Sequence, residues 1–189
     1  MRTVCPAIQA PTPRRTVGLV VLLALGLLAL AACSPAFNWR EVRPENSRLS
    51  LLLPCKPDKA QKIVPLGGVP TTLFMLGCDA GGATFAVALA DLGDAAKAAT
   101  VLAQWQSLTL ANMKAAPASR EALSLKLAGA TPQAPPTLVK AMGLRADGTA
   151  VSGQAAYFAQ GSQVFQVVMY AATISPEVAE TFFSSLKLE

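Results

Sequence analysis

Val17 to Ala32 is a 16-residue run without a charge, preceded by Arg14-Arg15 and followed by Cys33. A bilayer core needs about 20 apolar residues, with about 17 as a lower limit, so the run is short for a membrane span. A basic stretch, an apolar stretch from Val17 to about Leu28 and small residues at its end have the layout of a secretory leader. Residues 1–32 are therefore expected to be removed, and the fold has to be built from Cys33 onward. The alternative is an uncleaved anchor, in which a small-residue ending with cysteine would have no purpose.

The ending Leu30-Ala31-Ala32-Cys33 resembles the lipobox of bacterial lipoproteins. That resemblance implies a diacylglyceryl group on the Cys33 sulfur and cleavage just before it. The partner it implies is a membrane, held through the lipid, with the chain in the cell envelope facing the periplasm. Ser34, rather than an acid, follows the cysteine and resembles the pattern sent to the outer membrane. Arg14-Arg15 hints at twin-arginine export, but Thr16-Val17-Gly18 lacks the aromatic residue usual after such a pair.

Removing the leader changes the charge argument. The chain has 16 basic and 11 acidic residues, and Arg2, Arg14 and Arg15 leave with the leader, which lowers the net charge from +5 to about +2. Nucleic-acid binding needs a clustered basic face, and so small a balance spread over both signs offers none. The remaining length fits one domain with a sizeable core.

Of the four cysteines, Cys5 leaves with the leader and Cys33 would carry lipid, so Cys55 and Cys78 remain. In an oxidising compartment such a pair reads as a disulfide. Two reduced thiols and a redox pair are the alternatives. Redox dithiols usually stand two residues apart in Cys-x-x-Cys, far closer than these.

Residues 33–46 carry Pro, Asn and Arg without periodicity and are expected to form a tether, with a single globular α+β domain over 47–189. Phe37 and Trp39 stand out there beside Arg40 and Arg43. They suit a headgroup layer, or else Trp39 packs on the domain edge and Arg40 pairs with Glu41 or Glu45.

Beyond the tether the pattern is β first. Leu51–Leu53 and Ile63–Leu66 are short apolar runs, and Pro65 confines the second to a sheet edge. From Thr71 to Cys78, alternation puts Phe74, Leu76 and Cys78 on one face and Leu73 and Met75 on the other. Turn residues 79–82 lead into Thr84–Ala90, with Phe85, Val87 and Leu89 inward, as in a β-meander. The period then becomes helical. Asp94 is placed to cap 95–113, with Ala98, Val101, Leu102, Trp105, Leu108 and Asn112 on one stripe and Pro117 as the stop.

Leu123, Leu125 and Leu127 alternate as a short strand, and a Pro-rich loop follows over 128–136. Strands are predicted over 138–146, 151–159 and 164–171. Ser175-Pro176-Glu177 then opens a last helix with Val178, Phe182 and Leu186 as its apolar stripe. The fold class is α+β, a mainly antiparallel sheet packed against two helices.

Cys33-Ser34-Pro35 with Phe37–Arg43, Leu51–Pro57 and Thr84–Val87 resembles a group of small uncharacterised lipoproteins of proteobacteria. That resemblance implies no activity. More remotely, the ending Phe182–Leu188 and the element order resemble the PsbP-like α/β/α sandwich, whose members serve as assembly factors or binding modules.

The chain contains no histidine, which removes Ser-His-Asp and Cys-His catalysis and histidine metal sites. Gly67-Gly68 and Gly81-Gly82 lack the following helix and lysine of a phosphate cradle, and no cofactor or metal site is expected. Asp91 and Asp94, a close acid pair in the loop before the first helix, read as a turn and a helix cap. Ser124 and Lys126, two apart on a strand and so on one face, can be imagined as a Ser-Lys dyad, though such a face is usually the solvated one.

Three functions follow as expectations. The first is a non-catalytic binding or envelope-assembly module, acting on an envelope protein. The second is a carrier of an apolar ligand, with Phe74, Phe85, Trp105 and Phe182 lining a pocket between sheet and helix. The third is a hydrolase with the unconventional Ser124/Lys126 dyad.

Overall fold

The computed structural model describes residues 36–189. Cys33 and the leader lie outside the described residues. Ten strands and two α-helices follow one another in the order β1 (Arg40–Val42), β2 (Leu49–Leu53), β3 (Asp58–Leu66), β4 (Val69–Ala80), β5 (Ala83–Asp91), α1 (Ala98–Asn112), β6 (Glu121–Ser124), β7 (Thr137–Leu144), β8 (Ala150–Gln160), β9 (Gln163–Ala171), α2 (Pro176–Ser184) and β10 (Lys187–Leu188). The architecture is α+β. A seven-stranded sheet in the order β3-β4-β5-β9-β8-β7-β6 is antiparallel throughout, and a second sheet, β1-β2-β10, is also antiparallel.

The alternation along β4 divides two cores, because successive side chains on a strand point to opposite faces. Leu73 and Met75 join the first core, under α1. Phe74, Leu76 and Cys78 join the second, together with β2 and α2. The first core is small-residue packing, in which Ala88, Ala90, Ala155 and Ala159 of the sheet receive Val101, Leu102 and Trp105 of α1. Aromatic rings fill the second. Phe85, Phe158, Phe165 and Phe182 are each fully buried, and burying a Phe side chain contributes about 1.5–3 kcal/mol.

Phe85 is the meeting point of that second core. Its ring lies edge-on to Phe182 of α2 at 5.1 Å, to Trp39 at 6.1 Å and to Phe37 at 6.4 Å. The segment expected to be a tether is thus folded onto the domain from Phe37 onward, with Trp39 packed against the domain as the second of its two expected placements had it. Arg40–Val42 pairs with Leu51–Leu53, and the Asn38 amide donates to the Pro54 carbonyl. The three extended residues Arg40–Val42 carry too little pattern to be read as a strand; they are held by β2, while Phe85 meets the Phe37 and Trp39 rings just before them. Gly81, at φ +57°, adopts the left-handed turn conformation and leaves room for Phe37, whose ring would stand 2.3 Å from any added Cβ.

Helix α1 corrects two expectations. Asp94 caps a 3₁₀ turn at Ala95–Lys97 through the Ala96 amide, and the α-helix proper starts at Ala98. Leu108 and Asn112 are exposed, whereas Leu110 is buried. The helix ends at Asn112, within a residue of the expected Met113: Lys114 enters the left-handed region at φ +50°, its amide donates to the Ala111 carbonyl, and the Ala115 amide donates to that of Leu110. This is a Schellman closure with lysine where glycine is usual, and it buries Ala115 beside Leu110. The reversed chain then docks on β7, where the Leu144 amide donates to the Met113 carbonyl. A Cβ on Gly143 would stand 2.1 Å from that carbonyl oxygen, so the residue has to be glycine.

Ser175, Pro176 and Glu177 open α2 as expected, the Ser175 hydroxyl accepting from the Val178 amide. The strand expected through Leu127 stops at Ser124. Edge strand β3 carries Lys59, Lys62 and Pro65, all exposed, which discourage pairing with another chain.

Truncation tests the N-terminal docking. A fragment starting at Asn46 should be markedly less stable in urea than residues 36–189, and Trp39→Ala alone should cost about 2 kcal/mol. An unchanged urea midpoint in both would show that Phe37, Trp39 and β1 contribute nothing to the fold.

Candidate functional site

Cys55, two residues beyond the end of β2, and Cys78, in β4, form a disulfide with Cα atoms 6.0 Å apart. The bond joins the small sheet to the large one, beside the point where the Asn38 amide reaches Pro54. Both cysteines are half-buried in this wall. Its position is that of a structural staple.

The charged groups of the former tether sort themselves differently from expectation. Arg40 donates only to the backbone carbonyl of Asn38, while Arg43 forks onto Glu189 and also meets Glu41, and Glu45 pairs with Lys59. Arg43 thereby ties the strand after Trp39 to the chain end. Its hydrogen bond to Glu189, then that to Glu41, raise its pKa, and Arg43 in turn lowers that of Glu189.

Asp91 and Asp94 perform turn chemistry. Asp91 accepts from the Gly93 amide, and the Ser162 hydroxyl, followed by that amide, holds its carboxyl below the usual carboxylate range. Asp94 accepts from the Ala96 amide and stands 3.7 Å from Lys97. Ser124 and Lys126 are both exposed, and Lys126 has left the strand, so the shared face that the dyad needed is not formed. Among the described residues no group of three or more Cys, Asp or Glu side chains is placed to hold a metal.

The four aromatics expected to line one pocket are divided by the sheet. Trp105 belongs to the core under α1, whereas Phe85, Phe182 and the half-buried Phe74 belong to the opposite core. Phe85 and Phe182 are fully buried in that core. Sequence could assign each residue a face of its own element but not the side of the sheet on which each helix would land.

Polar groups beneath α1 are mutually satisfied. The Gln166 amide donates to the Thr109 hydroxyl at 2.8 Å and to the Tyr157 hydroxyl at 3.0 Å, and Thr109 donates to the Trp105 carbonyl. Burial pushes the Tyr157 phenol up, and burial followed by the nearby Tyr157 pushes Tyr170 up to about 12. Both phenols therefore stay protonated at neutral pH.

One open cleft lies elsewhere, between α2 and the β6–β8 end of the sheet. It encloses about 590 Å³ over a floor that includes Leu127, Leu138 and Phe183, with Lys126, Lys140 and Glu180 as its charged lining. No sequence pattern pointed to it, because Lys140 stands on a strand face that is core elsewhere. The one available signal was a lysine at an alternation position where Leu138 predicts an inward side chain.

No family model matches the chain, and no curated protein matches it. Among solved structures, the crystal structure of PA94, a protein of unknown function from Pseudomonas aeruginosa, is similar over 74% of this chain and 85% of that one. The identity is 13% and the TM-score 0.36, an overlap that carries no argument about this chain.

Two outcomes are expected. Breaking the bridge by Cys55→Ala should lower stability by about 3 kcal/mol, as for a loop of this size; free thiols found by alkylating the unreduced native domain would contradict the bridge. The second concerns pH. Asp91, Glu45, Asp147, Glu177 and Glu189 all have folded pKa values below their ordinary ones. A depressed carboxylate contributes stability above its unfolded pKa, about 3.9–4.3, and loses it as pH falls through the folded value. The melting temperature should therefore fall below about pH 4, and Asp91→Asn should lessen the fall.

Proposed function

We propose that the chain is a bacterial envelope lipoprotein, anchored through lipid on Cys33 in the outer membrane and facing the periplasm, whose domain works by binding an envelope protein. The observation that carries the location is the sequence Leu30-Ala31-Ala32-Cys33 at the end of a charge-free run too short to span a bilayer. The Cys55–Cys78 bridge supports an oxidising compartment. Stable anchoring needs two signals, which the two or three acyl chains of such a cysteine supply.

Binding rather than turnover is favoured by the residues that chemistry would need. The sequence supplies no histidine, Ser124 and Lys126 stand exposed without a common strand, and Asp91 and Asp94 are occupied by turn amides. We place the chain with the small proteobacterial lipoproteins on its Phe37–Arg43 and Leu51–Pro57 segments. The order helix, sheet, helix with a small sheet supports a PsbP-like sandwich as the finer description of its fold.

Cys33→Ala tests the anchor. The variant should accumulate as uncleaved precursor and incorporate no labelled palmitate, and a matured, labelled Cys33→Ala protein would overturn the reading. Crosslinking in intact cells, followed by identification of what copurifies, tests the binding role: a specific envelope protein is expected.

A further inference from the structure

The register between β7 and β8 shows where the second face of the large sheet changes character. Leu138 stands opposite Ala156, and Lys140 stands opposite Gln154. Positions two apart on a strand share a face, so Lys140 and Gln154 continue the face on which Leu138 packs against the second core and Ala156 is fully buried. At Lys140 and Gln154 that face is therefore cationic and polar; it is apolar toward the Pro-rich loop, at Leu138, and again beyond Lys140, at the exposed Met142. Helix α2 runs alongside it and contributes Phe183, while the chain after β6 contributes Leu127. The cleft enclosed is about 590 Å³, within the roughly 300–1,000 Å³ of small-molecule sites.

The charges on this cleft are unequal. Lys126 and Lys140 face one acid, Glu180. Lys140 is 41% exposed and meets Glu121 only at 3.8 Å, and Lys126 takes part in none of the ion pairs among the described residues. An apolar floor with a cationic end suits a molecule that is apolar along its length and negative at its head. We propose that the cleft between α2 and β6–β8 binds a single-chain anionic amphiphile, its head at Lys140 and Gln154 and its alkyl chain along Leu138, Leu127 and Phe183. This site is independent of lipidation at Cys33 and of any protein partner.

Photolabelling tests it on the full chain. Dodecanoate with a diazirine on its tail is bound, irradiated, and its adducts mapped by mass spectrometry. Adducts are expected on the peptides carrying Leu127, Leu138 and Phe183, displaced by unlabelled dodecanoate and not by dodecyltrimethylammonium. Lys140→Glu should weaken labelling at least about tenfold, Lys140→Arg should keep it within about twofold, and Glu180→Gln, at an exposed helix position, should strengthen it. Melting curves establish that each variant is folded. Adducts confined to other segments, equal displacement by the cationic amphiphile, or indifference to both charge changes would each overturn the proposal.

Discussion

The contact on which the domain depends is the Phe85 ring, which meets Phe182 of α2 on one side and the Phe37–Trp39 pair on another. Three segments far apart in sequence are thereby gathered on one central strand. Edge-to-face aromatic pairs contribute about 0.5–1.5 kcal/mol each beyond the area they bury, so three of them on one ring are comparable to a large share of a domain's net stability. The Cys55–Cys78 bridge acts at the same place, since it joins the end of the small sheet to the strand beside β5. Arg43 with Glu189 closes the arrangement at the surface, and as an exposed pair it contributes little next to the rings.

Much of this was legible because side-chain alternation has period two. The division of Leu73 and Met75 from Phe74, Leu76 and Cys78 follows from the backbone alone, and so does the edge position of the strand containing Pro65. Ser175-Pro176-Glu177 was legible because each residue satisfies a separate requirement of a helix start: an acceptor for a free amide, a fixed φ, and a negative charge.

What was not legible is long-range. Strand β9 lies between β5 and β8, so the late hairpin is inserted beside the early meander, and no local pattern encodes that pairing. The same holds for the short strand at Arg40–Val42, which exists because β2 pairs with it. Leu110 is buried and Leu108 exposed because Lys114 turns the chain back onto β7, which alters what the last turn of α1 meets. Propensity would have placed glycine at that turn, and a lysine there leaves only the hydrogen bonds to mark the reversal.

The candidate site shows the same limit from the other side. In the sequence Lys140 stands two positions from Leu138 and so shares its face, but alternation alone does not say how much of that face is covered. Register adds that Lys140 lies across from Gln154, beside a helix that covers only part of the sheet. A longer helix or a bulkier loop after β6 would have buried that face and made the lysine intolerable, because an unpaired buried ammonium is strongly disfavoured. The short helix of nine residues and the early end of β6 at Ser124 are therefore what keep Lys140 hydrated and the cleft open.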